Sequence, residues 1–476
     1  MKKFSSPDSA SDGDAGRRSR LPWHLAAGCL LALLIALLWS RKDRSPTADP
    51  ALADTAGPAT TANSSSAGFA RRSQRLAGSD PAAPAGEIVT NKVHQFSRSR
   101  REIVHAIASK LKVEVPAEVE RFFDAIEAGR WEEVEPLAKA LRDNLARSGE
   151  LAKLWPPIHE AWGAIQETSN WPAQKLLDYG EAVLGSLRPG MIYVGGTDSG
   201  RWIPTLLNET SEGEHHVILT QNALADGTYV DYINFLYSDR LATLTKDDSG
   251  RAFSDYIADA HKRLQHDQQF PDEPKQIRPN EDVRSIDGRI QVSGQVAVMA
   301  INERLLQALM EKNPDASFAL EESYSFKNAY ANATPLGPIM ELRVQDEQSA
   351  LTAERAAQSL DYWRNTAQQL LSDPETPDTS DARKAYSHMA MAQANLFAEH
   401  NYSAEAEQAY RVASELSPSY FEPVDQLSKL LLRTGRADEA RQLRDNFARN
   451  HPDQRPEVDA SGTFNVAVPR TQPSRP

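Results

Sequence analysis

The sequence predicts an α/β core with flanking all-α helical segments, paired helices towards the C-terminus and one N-terminal transmembrane helix. Three observations carry this expectation. Leu21–Ser40 is an apolar run without Asp, Glu, Lys or Arg. Two strand–loop–helix units succeed each other between Met191 and Tyr237. Beyond residue 390, small residues and prolines recur with a period of 34 positions, as between Ala406 and Ala440 and between Pro418 and Pro452.

Residues 1–20 form a polar N-terminal tail, and 21–40 the anchor. Twenty helical residues rise roughly 30 Å, the hydrocarbon thickness of a bilayer. Trp23 and Trp39 stand near its two ends, where indole rings favour the membrane interface. Arg17, Arg18 and Arg20 flank one side, and Arg41, Lys42 and Arg44 the other. Lys2 and Lys3 add positive charge to the short tail, which predicts N-in, C-out orientation. The expectation is a single-pass protein of a bacterial inner membrane with a periplasmic body.

Cys29 is the one cysteine, and the apolar core continues past it, which favours a signal anchor over a lipoprotein. Ala51-Leu52-Ala53 has the small-x-small form of a cleavage site but lies well beyond the apolar core. With Cys29 in the anchor, the rest of the chain has no disulfide, thiol nucleophile or cysteine metal site. Residues 41–88 are rich in Ala, Ser, Thr, Pro and Gly, and predict a disordered linker.

A helical domain is expected over 89–188. Ile103, Ile107 and Leu111 recur every four residues, followed by Phe122, Phe123 and Ile126. Gly129 ends one helix and Trp131–Leu145 forms the next. Trp155, Trp162 and Trp171 read as core packing.

An α/β domain is expected over 189–345. Met191–Val194 and His216–Thr220 read as short buried strands. The loop 195–201 leads to a helix opening at Trp202, and the loop 221–227 to a helix over Thr228–Tyr237. Consecutive units of this kind predict a parallel layer. Asp287-Gly288 is the turn signal of a hairpin over Arg284–Gln291. A helix over Val296–Glu311 and strands over Ser317–Glu321 and Ile339–Val344 complete the domain.

The segment 346–455 returns to helix, first over 349–372. Ala394, Phe397, Ala406, Tyr410, Ala413 and Pro418 then have tetratricopeptide spacing, and so do Ser428, Leu431, Ala440, Arg444, Phe447 and Pro452. Arg444 stands where that motif has an aromatic residue, and neither copy has its early tryptophan. Two copies are few for independent folding, so they are expected to stack on the preceding helix. Residues 117–145 resemble a further isolated unit. The tail 456–476 reads as disordered.

The net charge of −13, without a basic stripe in the body, argues against nucleic-acid partners. The candidate ligand site lies at the carboxyl ends of the first two strands, where open α/β sheets bind ligands. Gly195 and Gly196 permit close approach of the backbone, and the next helix start can receive an anion. Asp198 and Arg201 add one charge of each sign, and Gln221, Asn222 and Asp226 line the second loop. The bland alternative is that Thr197–Ser199 caps a helix and that Asn222 and Asp226 hold a turn. No phosphate loop, dinucleotide fingerprint or nucleophile elbow is present. His215-His216 lacks the spacing of a metal site, and no metal or cofactor is expected. Glu321 and Glu322 are adjacent on a strand, so they face opposite sides, with one expected to be exposed.

The segments YVGGTDSGRWIPTLLNE, HVILTQNALADGTYVDYI and ATPLGPIMELR resemble soluble regions of bacterial membrane glycosyltransferase-like proteins related to protein O-mannosyltransferases. The resemblance covers roughly 191–237 and 317–344 and implies a soluble module alone, because the many membrane spans of such enzymes are missing. The leading expectation is a membrane-tethered scaffold or adaptor that binds a protein or peptide through the repeats, at the helix Asn395–Glu399. The alternative is an enzyme or carbohydrate-binding accessory of cell-envelope glycan assembly.

Overall fold

The computed structural model describes residues 83–145, 148–286, 288–342 and 351–452, and the backbone of 457–458 and 464–465. The expected anchor Leu21–Ser40 with Cys29, the linker up to residue 82 and nearly all of the tail 456–476 lie outside the described residues. No helix among the described residues is long and apolar enough to cross a membrane. The described chain is mostly helical, with a small mixed sheet.

Among the described residues five α-helices precede the sheet: α1 (Ala85–Leu111), α2 (Ala117–Glu127), α3 (Trp131–Leu145), α4 (Trp155–Asn170) and α5 (Ala173–Leu184). The helix α1 begins inside the stretch expected as linker. Its start still carries a buried apolar face, with Ile88, Val89, Val93 and Phe96 at helical spacing. Between α2 and α3, Gly129 adopts φ +67°, the left-handed conformation that glycine accepts without a Cβ clash. Trp162 and Trp171 are buried, as their core reading requires.

The sheet then begins. β1 (Ile192–Gly195) leads through two residues into α6 (Asp198–Glu209), and β2 (Val217–Thr220) leads into α7 (Gly227–Tyr237). Both strands are buried along their whole length, which fits their unbroken apolar runs. A polar helix, α8 (Lys246–Gln269), precedes the hairpin β3 (Asp282–Ile286) and β4 (Arg289–Ser293) and the helix α9 (Gln295–Lys312). The hairpin pairs antiparallel as expected; Asp287 lies outside the described residues, and Gly288 has φ +74°. β5 (Phe318–Leu320), β6 (Ala333–Leu336) and β7 (Ile339–Leu342) complete the sheet.

The strand order is β2-β1-β5-β7-β6. β1 runs parallel to β2 and β5, whereas β7 and β6 are antiparallel to their neighbours. The expected parallel layer is therefore half of a mixed sheet. The antiparallel half arises because β6 and β7 are joined by a tight turn at Gly337 (φ +57°), too short for a crossover.

The last helices are α10 (Ala353–Ser372), α11 (Asp381–Glu399), α12 (Ser403–Leu416), α13 (Phe421–Arg433) and α14 (Ala437–Asn450). α11 packs on α12 and α13 on α14, and α10 packs on α12. Ala394, Phe397, Ala406, Tyr410, Ala413, Leu431, Ala440 and Phe447 are buried between these helices. Pro418 and Pro452 follow the ends of α12 and α14. Arg444 sits at the aromatic position and reaches Asp425 of α13 at 3.4 Å.

One apolar cluster runs from Val89 to Ala440, so the changes of character at 188/189 and 345/346 fall within a shared core. Arg100 on α1 is buried beside it, 1% exposed. The guanidinium lies 2.7 Å from Glu160 and 3.4 Å from Glu209, and stacks on Phe96. Tyr232 donates a further hydrogen bond to Glu160 at 2.7 Å. This network ties α1, α4, α6 and α7 together. Removing one member of a buried ion pair leaves the other charge uncompensated. Arg100→Ala should therefore lower stability by about 3–5 kcal/mol, read from urea unfolding followed by circular dichroism. A change below about 1 kcal/mol would mean that Glu160 finds solvent instead.

Candidate functional site

The turn between β1 and α6 is built as an anion receptor. Thr197 caps α6 by accepting a hydrogen bond from Gly200 N at 2.8 Å. Gly196 N and Thr197 N point out of the turn, and the Thr197 hydroxyl joins them. Into this cradle comes the chain's own Glu321, the residue after β5. Its carboxylate accepts from Gly196 N at 2.7 Å, Thr197 N at 2.9 Å and Thr197 Oγ1 at 2.5 Å. Tyr179 on α5 donates a weaker fourth bond at 3.3 Å. Burial pushes the Glu321 carboxyl up, and the bonds from Thr197 and Gly196 partly offset that.

The glycines serve this closure. A Cβ on Gly200 would lie 1.7 Å from a Glu321 oxygen. One on Gly195 would meet Gly200 O at 2.4 Å, and one on Gly196 would meet Ser323 N at 2.3 Å and Gln221 Oε1 at 2.4 Å. Gln221 is fully buried and closes the other side of the crevice. Its Oε1 accepts from Ser323 N at 2.8 Å, and its Nε2 donates to Tyr324 O at 3.0 Å.

The other candidate residues are used locally. Arg201 donates to Asp198 at 2.7 Å, and its guanidinium stacks 4.0 Å above the Trp202 ring. Its Nε is buried and makes no hydrogen bond among the described residues. Asp226 caps α7 by accepting from Thr228 N at 2.8 Å. Asn222 is half-buried in the short turn Gln221–Ala223. Asp198 and Arg201 thus stay together, whereas Gln221 turns to the segment after β5 and Asp226 to its own helix.

The carboxyl of Glu167 leaves no trace in the sequence, and the environment of Glu322 differs from the expected one. Ser199 donates to Glu167 on α4 at 2.7 Å, and burial pushes Glu167 up to about 7. One of Glu321 and Glu322 is expected from the sequence to be exposed, yet both are buried. They do face opposite ways, and each side is covered. Glu322 adopts φ +71° and accepts from the Tyr330 hydroxyl at 2.6 and 2.7 Å. Asn395 on α11 donates to it at 3.4 Å, and burial pushes Glu322 up to about 8. The run of two acids directly after an apolar strand was the available signal.

Asn395 and Glu399, on the helix expected to take a partner, therefore meet the chain's own loop. Asn395 also accepts from Tyr410 at 2.7 Å, and Lys327 pairs with Glu399 at 2.9 Å. His400 contacts Tyr330 O at 2.7 Å. Gln393 donates to Gly337 O at 2.8 Å and Ile339 O at 3.0 Å, fastening α11 to the β6–β7 turn. His216 is buried, with its backbone N donating to Asn208 and its ring against Met191 O. Among the described residues no group of three or more His, Cys, Asp or Glu is placed to hold a metal.

The raised carboxyls of Glu167 and Glu322 have a pH consequence. In the folded chain Glu167 and Glu322 keep protons that the unfolded chain releases above about 4.5. Stability should fall as pH rises from about 4.5, through about 7 for Glu167 and about 8 for Glu322, by up to ~1.4 kcal/mol per pH unit and group. Urea unfolding across this range should show that slope, and Glu322→Gln should remove part of it. Identical slopes for both chains would exclude Glu322 as a contributor.

No family model matches this chain, and no curated protein or solved structure is significantly similar to it.

Proposed function

We propose that the chain is a membrane-tethered scaffold or adaptor, anchored by Leu21–Ser40, whose tetratricopeptide-type hairpins hold protein partners in the periplasm of a bacterium. The observation that carries this reading is the closure of the strand-end crevice by Glu321 and Gln221. Chemistry at an α/β sheet needs an open place there, and this one is occupied by intrachain bonds. The hairpin α13–α14, by contrast, displays Lys429, Leu432 and Arg433, with Leu432 49% exposed. A leucine exposed among charges suits a polar-rimmed protein contact. Photo-crosslinkers placed at Lys429, Leu432 and Arg433 in the full chain should give one discrete adduct in native membranes, weakened by Leu432→Asp. Adducts equal to those from an exposed control position such as Glu311 would defeat the reading.

A second reading is a carbohydrate-binding or enzymatic accessory of envelope glycan assembly, as the glycosyltransferase-like resemblance suggests. It is favoured by Arg201 Nε, a buried donor without an acceptor among the described residues, beside the half-exposed Asp198. A melting screen of the full chain with sugars and nucleotides should then give a stabilising shift that Arg201→Lys abolishes. A flat screen counts against this second reading.

A further inference from the structure

The segment Glu321–Asn332 between β5 and β6 joins two places that would otherwise be open. At its start, Glu321 fills the cradle of Gly196 and Thr197. The next residue turns the other way, and the Glu322 carboxyl meets Asn395 on α11. Lys327 and His400 add two more links to the repeat helices. Gln221 holds the backbone of Ser323 and Tyr324 between them.

Three features mark the segment as a separate unit. Beyond the bond from Glu321 N to Val194 O, and apart from the short turn Tyr330–Asn332, it has no regular structure, so side chains do most of the holding. Glu322 has a left-handed backbone, which costs energy in any residue with a Cβ. Its buried carboxyl has Tyr330 and Asn395 as donors but no ion-pair partner among the described residues. Phe326 and Tyr330, each 1% exposed, keep the segment seated in the resting state. Glu321 and Glu322 are consecutive, so a backbone shift that withdraws Glu322 from α11 acts directly on Glu321 in its cradle.

We infer that Glu321–Asn332 is a built-in ligand of the first repeat hairpin, closed at rest and opened as one unit by a competing acidic, aromatic peptide, so that engagement of the repeats uncovers the Gly196–Thr197 cradle. This rests on the reading of the hairpins as a partner-binding array. The partner peptide it predicts resembles the strap itself, with a carboxylate for Asn395, an aromatic ring and a basic residue for Glu399.

The test uses the exposed Lys327–Glu399 pair, whose alteration leaves the core untouched. Hydrogen exchange of the full chain is compared with that of Lys327→Glu and of the charge swap Lys327→Glu with Glu399→Lys. Lys327→Glu should speed exchange at residues 322–332 by about two- to fivefold, and at Gly196 and Thr197 by the same factor. The swap should restore both. Faster exchange at 322–332 with Gly196 and Thr197 unchanged overturns the coupling, and so does acceleration spread evenly over the whole core. In a second arm, a fluorescent peptide with the sequence of residues 321–332 should bind Lys327→Glu more tightly than the wild type, by that factor. Coupled exchange without peptide binding keeps the strap and removes the partner-binding reading of the repeats. Peptide binding without coupled exchange keeps that reading and removes the strap.

Discussion

The architecture depends on one carboxylate held by a strand–helix turn. Glu321 accepts two backbone N–H bonds and a hydroxyl bond from the turn after β1. Backbone N–H groups at a helix start carry partial positive charge and must be satisfied when buried. In many α/β proteins a bound anion satisfies them. Here the neighbouring strand supplies the anion covalently, and the close-packed glycines on either side are the geometric cost. The bond also sets the register between β1 and β5, because Glu321 N donates back to Val194 O at 3.0 Å.

From that point the structure extends in one direction. Glu322 carries the chain towards α11, and Gln393, Asn395 and His400 of α11 and its end return bonds to the sheet and its loop. The C-terminal helices are thus fastened at several points of the body. Buried polar contacts of this kind contribute modest net stability but penalise any arrangement that leaves one group unpaired. They fix where the hairpins sit more than how strongly they hold.

Much of the fold was legible because burial wrote it into local patterns. Trp131–Leu145 has the bounds the periodicity predicts, and the 34-residue spacing placed four helices. The helix α8 left little trace, since only Asp248, Ala252, Tyr256 and Ala260 of its 24 residues are buried. β6 escaped because it is four residues long and contains Pro335, which an edge strand tolerates. The candidate site was legible as a place and not as a content. Gly195 and Gly196 marked a close approach, but spacing alone does not say whether a ligand or Glu321 makes it. That answer lies in a pairing 125 residues away along the chain.

The same separation bears on how the protein is made. A chain emerging from its N-terminus presents β1 and the turn at Gly196 long before Glu321 has been synthesised. During that interval the receptor has no internal occupant, and β1 has β2 beside it but not β5. A nascent chain that pairs β1 with β2 before residue 321 is made would carry an exposed strand edge next to an unfilled anion cradle. Arrival of one residue, Glu321, ends both exposures at once.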